Sequence, residues 1–144
     1  MSKESRKLRY PNLILLFSHK LTENQIKSAK TEMNINKFIY LEPELQKLWS
    51  NIPPEIENIK DYLSPIYQFL KENTEKGDYV LIHGDFGAVY LMVNYAFELG
   101  LIPIYSTTER MRKCAFSHSR EKKMNENTIK LEHFFRHKRF RKYE

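Results

Sequence analysis

The sequence predicts an α/β fold: a doubly wound parallel sheet flanked by helices, with a β-hairpin added at the C-terminal end. Three observations carry this. Apolar runs of strand length recur at residues 12–17, 79–82 and 101–106, the pattern of strands buried on both faces. Helical patterns with short loops lie between the strands, as parallel neighbours require. Beyond residue 106 the pattern turns to alternation and the charge turns strongly positive.

The elements follow in order. Asn12 to Phe17 forms the first strand. Thr22-Glu23-Asn24-Gln25 is a capping box, Thr22 and Gln25 each able to satisfy the other's backbone amide, and the helix it opens runs to about Met33 with Ile26, Ala29 and Met33 on one face. Lys37 to Leu41 is the second strand, completing a βαβ unit. Pro43 to Ile52 is a short helix closed by Pro53-Pro54, and a longer one is expected from about Ile56 to Asn73, bent at Pro65. Gly77-Asp78 makes a turn into the third strand, Tyr79 to Ile82. A strongly apolar helix, Phe86 to Leu99, ends at Gly100 as a left-handed cap, and Leu101 to Ser106 is the fourth strand. Arg112 to His118 and Thr128 to Phe135 each alternate around the polar stretch SREKKMNEN, an antiparallel hairpin in which Ile129, Leu131, His133 and Phe135 share a face. It ends in a basic-aromatic tail, RHKRFRKYE.

The 144 residues amount to one domain, with residues 107–144 as its basic hairpin and tail. With 41% hydrophobic and 29% charged residues the chain is an ordinary globular protein, not a disordered one. Its single cysteine, Cys114, excludes an internal disulfide and fits a reducing compartment. The charged N-terminus precedes only five apolar residues, too few for a secretion signal or a membrane span, so a cytoplasmic protein without membrane contact is expected. Residues 1–106 carry 12 lysines and arginines against 13 acids, a net of −1, whereas residues 107–144 carry 12 against 5, a net of +7. Such a field attracts phosphates; the alternative is a solvated basic tail.

In open α/β sheets ligands bind beyond the carboxyl ends of the strands, where helix N-termini offer unpaired amides. Three loops occupy that edge: Ser18-His19-Lys20, then His83-Gly84-Asp85-Phe86-Gly87, then Ser106-Thr107-Thr108-Glu109-Arg110. Gly84 and Gly87 remove side chains where a ligand would approach the backbone, and Asp85 either orients a hydroxyl or caps the helix. His19, flanked by Ser18 and Lys20, offers proton transfer beside phosphate contacts, or is a surface histidine. Thr107, Thr108 and Arg110 can hold a phosphate by hydroxyls and a planar fork, or form a turn into the hairpin. The glycines match neither dinucleotide nor triphosphate fingerprints. His133 and His137 stand four apart on a strand and tail. With no CxxC, HExxH or carboxylate cluster, neither a metal nor a cofactor is expected.

The segments NLILLFSHKLTENQI, LWSNIPPE, GDYVLIHGDFGAVYLMVNYAFELGLIPIYSTT and HFFRHKRFRKYE, covering nearly the whole chain, together resemble the small CRISPR-associated ring nucleases, the Csx family numbered twenty. The resemblance implies a CARF-like Rossmann domain acting as a homodimer. It implies a cyclic oligoadenylate ligand, the tetra-adenylate ring above others, and degradation of that messenger to switch off type III CRISPR effectors. It also implies no DNA partner. The residues suit such chemistry. RNA carries its own nucleophile, the 2′-OH, so cleavage by transesterification proceeds without metal where a histidine moves the proton and cations hold the phosphates. On this reading His19 and Asp85 are the catalytic candidates. Ser18, Lys20, His83, Gly84, Phe86, Gly87, Thr107, Thr108 and Arg110 are the ligand-binding ones. Two other readings compete: a receptor or sponge that binds the ring without cleaving it, and a general RNA-binding module built on the basic segment.

Overall fold

The computed structural model describes residues 9–113 and 132–144. Its elements are β1 (Leu13–Leu16), α1 (Glu23–Glu32), β2 (Phe38–Tyr40), α2 (Pro43–Ser50), α3 (Ser64–Asn73), β3 (Tyr79–Ile82), α4 (Phe86–Glu98), β4 (Ile102–Lys113) and β5 (Glu132–Lys142). The strands form one sheet in the order β2-β1-β3-β4-β5. The pairs β1/β2, β1/β3 and β3/β4 are parallel, with Leu13 opposite both Phe38 and Tyr79, and Tyr79 opposite Ile102. β5 runs antiparallel to β4: Tyr105 meets Arg141 and Thr107 meets Arg139, one number rising as the other falls.

Every residue of β1 is buried, because both faces of the sheet are covered. Ile14 and Leu16 join Val80 and Ile82 in a cluster with the helices α2, α3 and α4, through Trp49, Ile66, Leu70 and Met92. Leu13, Leu15 and Leu81 point the other way, against Ala29 of α1 with Ile26 and Met33 packed around it. The two-residue period of the strands thus divides the apolar side chains between two helical layers.

Local chemistry sets the ends of the helices. Thr22 Oγ1 accepts from Gln25 N at 3.1 Å while Gln25 Oε1 accepts from Thr22 N at 2.9 Å, the expected reciprocal box. At the C-terminus of α4, Gly100 adopts φ 78°; its N–H reaches Phe97 O at 3.1 Å and that of Leu101 reaches Ala96 O at 2.9 Å, a Schellman closure. Asp78, 1% exposed, is more than the turn residue the sequence implied. Its carboxylate accepts from Arg9 Nη2 at 2.7 Å and from the backbone amides of Asn12 and Glu75, tying β1 to β3 at the edge opposite the site.

Three expectations are corrected. The helix expected from Ile56 begins only at Ser64, because Pro65 lacks an N–H and fits the first helical turn, not an interior bend. The fourth strand does not stop at Ser106. It continues to Lys113, since Thr107 and Thr108 are β-branched and Thr107 Oγ1 bridges both backbone groups of Arg139, at 3.1 and 2.9 Å. The expected tail is β5, anchored by buried Phe140 and by Tyr143, which donates from its hydroxyl to Ile82 O at 2.8 Å and from its amide to Pro103 O at 3.0 Å. The hairpin positions 114–118 and 128–131, with Cys114, Ile129 and Leu131, lie outside the described residues.

The chain divides into two compact units: the residues up to Tyr105 together with Phe140–Glu144, and Ser106–Arg139. The first holds β1 to β3, all four helices and both apolar clusters. In the second, Ser106 Oγ and His137 Nδ1 lie 2.6 Å apart, and Lys138 pairs with Glu109 at 3.5 Å.

Candidate functional site

β1 leads through α1 to β2 on one side of it, whereas β3 lies on its other side and leads through α4 to β4. The direction of winding reverses between β1 and β3, and there the loops leaving the two strands part to open a crevice. Ser18, His19 and Lys20 follow β1 and His83, Gly84 and Asp85 follow β3 at that edge, which makes these two loops its candidate walls.

The two histidines meet on Phe17. His19 packs edge-on against its ring with centroids 5.6 Å apart, and His83 does so at 5.4 Å. His19 is exposed, while His83 is half-buried. Burial, and secondly the charge of His19, hold the His83 imidazole below its ordinary pKa, so at neutral pH it is a neutral base. Sequence reasoning placed His83 among the binding residues, with His19 as the histidine that moves the proton. What it missed is Phe17, whose position after an apolar strand marked it as core.

Trp49 fixes the second wall. Its indole, 2% exposed, donates from Nε1 to His83 O at 2.8 Å. A side chain on Gly84 would place its Cβ 3.0 Å from that indole, and the residue's φ of 158° is one that side-chain-bearing residues rarely adopt, so both packing and backbone favour glycine here. Gly87 differs: a Cβ there would lie at an ordinary 3.5 Å from Asp85 Oδ2 and Ile59 Cδ1, so packing within the chain leaves room for a side chain. Asp85 Oδ2 accepts from Ala88 N at 3.1 Å, which makes the carboxylate the N-cap of α4. Phe86, the first residue of that helix, is 94% exposed. On the first wall, Ser18 Oγ accepts from Ser50 Oγ at 3.1 Å and Gln46 Nε2 donates to Phe17 O at 2.7 Å, tethering the loop to α2.

The third expected loop is strand instead. Thr107, Thr108 and Arg110 sit within β4, in the second compact unit, and Thr107's hydroxyl is spent on Arg139's backbone. Of the expected site residues the structure brings the rings of His19 and His83 together on Phe17; Ser18 and Lys20 line one cleft with His19, whereas Asp85 and Gly87 line another with Ile59, Lys60 and Tyr90. Among the described residues no group of three or more His, Cys, Asp or Glu could hold a metal ion, and no helix is long and apolar enough to cross a membrane.

Residues 11–141 match the family described as "Uncharacterized protein MJ1673 family". The chain is 50% identical over 133 residues to "Uncharacterized protein MJ1673" of Methanocaldococcus jannaschii, spanning 92% of this chain and 97% of that one. No solved structure matches it. The family match and the near-complete overlap lead to one conclusion: the chain belongs to the MJ1673 family.

Proposed function

We propose that the protein is a cytoplasmic, metal-independent ring nuclease that opens cyclic oligoadenylate, the tetra-adenylate ring above others, and so ends type III CRISPR signalling. The observation that carries the reading is the pair of histidines meeting on Phe17 at the β1/β3 crevice. RNA cleavage by transesterification needs one group to take a proton and another to give one. In this reading neutral His83 takes the proton of a 2′-OH as that oxygen bonds to phosphorus. The P–O5′ bond breaks, and protonated His19 delivers a proton to the leaving oxygen, giving a 2′,3′-cyclic phosphate and a linear oligoadenylate. Lys20 and Ser18 contact the phosphate, and Gly87 lets it approach the first turn of α4, whose amides favour an anion. Asp85 serves as a positioning residue through its cap.

A tetranucleotide ring exceeds what one such crevice encloses, and α4 supports a homodimer. Phe86, Tyr90 and Phe97 are exposed, at 94%, 68% and 46%, and with half-buried Val93 recur at the spacing of one helical stripe. An exposed aromatic stripe of that kind on a globular domain marks an interface. It starts at the site's own wall, so a second copy seated on it sets two crevices side by side about a twofold axis.

The test is single-turnover incubation of the protein with labelled cyclic tetra-adenylate in EDTA. The reading expects linear products ending in a 2′,3′-cyclic phosphate. Tight binding with an intact ring supports the receptor reading instead, and salt-sensitive binding of linear RNA without preference for rings supports the RNA-binding module.

A further inference from the structure

Beside the first wall of the crevice lies a cleft of about 560 Å³, bounded by the Ser18–Lys20 loop, the end of β2 and α2. Its size is that of a small-molecule site. Its lining is divided in character. Phe17 and Leu41 give an apolar floor, Ser18 and Lys20 a polar end with a cation, and Tyr40 an aromatic wall. Tyr40 closes β2, opposite Leu15 in the register, and its side chain remains 54% exposed although the strand beside it is fully buried. Its ring borders the cleft and is accessible to a planar ligand there.

The geometry points to a nucleotide subsite: Tyr40 is the stacking platform for one adenine base, and Ser18 and Lys20 hold its phosphate. This rests on the ring nuclease reading for the identity of the base and adds a site to it. A flat ring that covers Tyr40 and floors on Leu41 is removed from water on both faces, whereas the phosphate stays at the solvated end beside the cation. Gln46 fixes the spacing between the two ends, because its amide ties the Phe17 carbonyl to α2 at 2.7 Å. His19 also lines the cleft, so a nucleotide seated in it lies beside the histidine pair.

The test uses adenosine 5′-monophosphate and ribose 5-phosphate as probes, titrated by calorimetry into wild type, Tyr40→Ala and Tyr40→Phe. Tyr40 is exposed, so both variants fold, which circular dichroism checks. The adenosine monophosphate dissociation constant is expected to rise about 5- to 150-fold in Tyr40→Ala and to return to near wild type in Tyr40→Phe. Ribose 5-phosphate should bind more weakly than adenosine monophosphate and be indifferent to either change. Equal affinity of wild type and Tyr40→Ala, equal affinity for the two probes, or no binding of adenosine monophosphate overturns the subsite. A protein that loses adenosine monophosphate binding in Tyr40→Ala but never binds or cuts cyclic tetra-adenylate refutes the ring nuclease reading and leaves the subsite standing. Normal ring cleavage with normal affinity in Tyr40→Ala does the reverse.

Discussion

Gly84→Ala puts a methyl carbon 3.0 Å from Cζ2 and Nε1 of Trp49. Carbon pairs rest at about 3.5–4.0 Å, so the indole or the loop must give by about half an ångström. The indole has little room to yield. It is 2% exposed, packs in the larger apolar cluster, and holds the His83 carbonyl by a 2.8 Å hydrogen bond. Overpacking of this kind costs about 1–3 kcal/mol, and a weakened hydrogen bond adds about 1 kcal/mol. For a chain of this length each kcal/mol lowers the melting temperature by about 3 °C, so a fall of about 6–12 °C is expected. Calorimetric melts of wild type, Gly84→Ala, Trp49→Phe and the double variant make the measurement. Phenylalanine lacks the indole atoms that the methyl meets, so the part of the Gly84→Ala cost that comes from the indole should disappear beside Trp49→Phe, leaving the part that the φ of 158° imposes on any side chain. If the two costs simply add, or if Gly84→Ala melts with wild type, the glycine is not there for Trp49.

The other expectations are briefer. His19→Ala should slow single-turnover ring cleavage about 10²–10⁴-fold with ring affinity nearly unchanged, and a wild-type rate removes His19 from the mechanism. Asp85→Ala should cost about 0.5–2 kcal/mol in a melt, whereas Asp85→Ser, another good cap, should restore both stability and cleavage; a stable but inactive serine variant would make Asp85 catalytic. The His83 pKa is depressed in the folded chain, so the unfolded chain binds more protons near it. Its share of stability is therefore full above the ordinary histidine value and is lost as pH falls through that value toward the depressed one. A proton NMR titration of His83 should show the depressed value rise partway in His19→Ala, and no movement denies their coupling. Arg9→Ala strips the buried Asp78 carboxylate of its cation and should cost about 1–3 kcal/mol by denaturant titration, with Asp78→Asn partly rescuing it.

Much of the first compact unit was legible because its signals are local. The apolar runs of β1 and β3, the Thr22/Gln25 box and the Gly100 cap each depend on residues within a few positions, and each stands where the pattern put it. That the loops after β1 and β3 share an edge followed from the same source, since the two strands are parallel neighbours. What escaped depends on contacts between distant residues. Whether Thr107 belongs to a loop or a strand is decided by Arg139, 32 positions away. Gly84 reads as a ligand glycine until Trp49, 35 positions earlier, is placed beside it. Asp78 reads as a turn residue until Arg9 arrives. The pairing of His19 with His83 needed Phe17 between them, and an aromatic residue ending an apolar run carries no sign of which rings will touch it.

The register of β1 also bears on how the chain reaches its native state. Leu13 meets Phe38, close in sequence, on one side and Tyr79, far along the chain, on the other. The β1-α1-β2 segment can therefore close early and locally, whereas the central pairing with β3 requires the whole stretch carrying α2 and α3 to be looped out first. Until that closure a nascent chain presents one edge of a wholly apolar strand, a hazard for association during synthesis. The same late event brings His83 to His19, so the crevice is assembled only at the step that shields the edge.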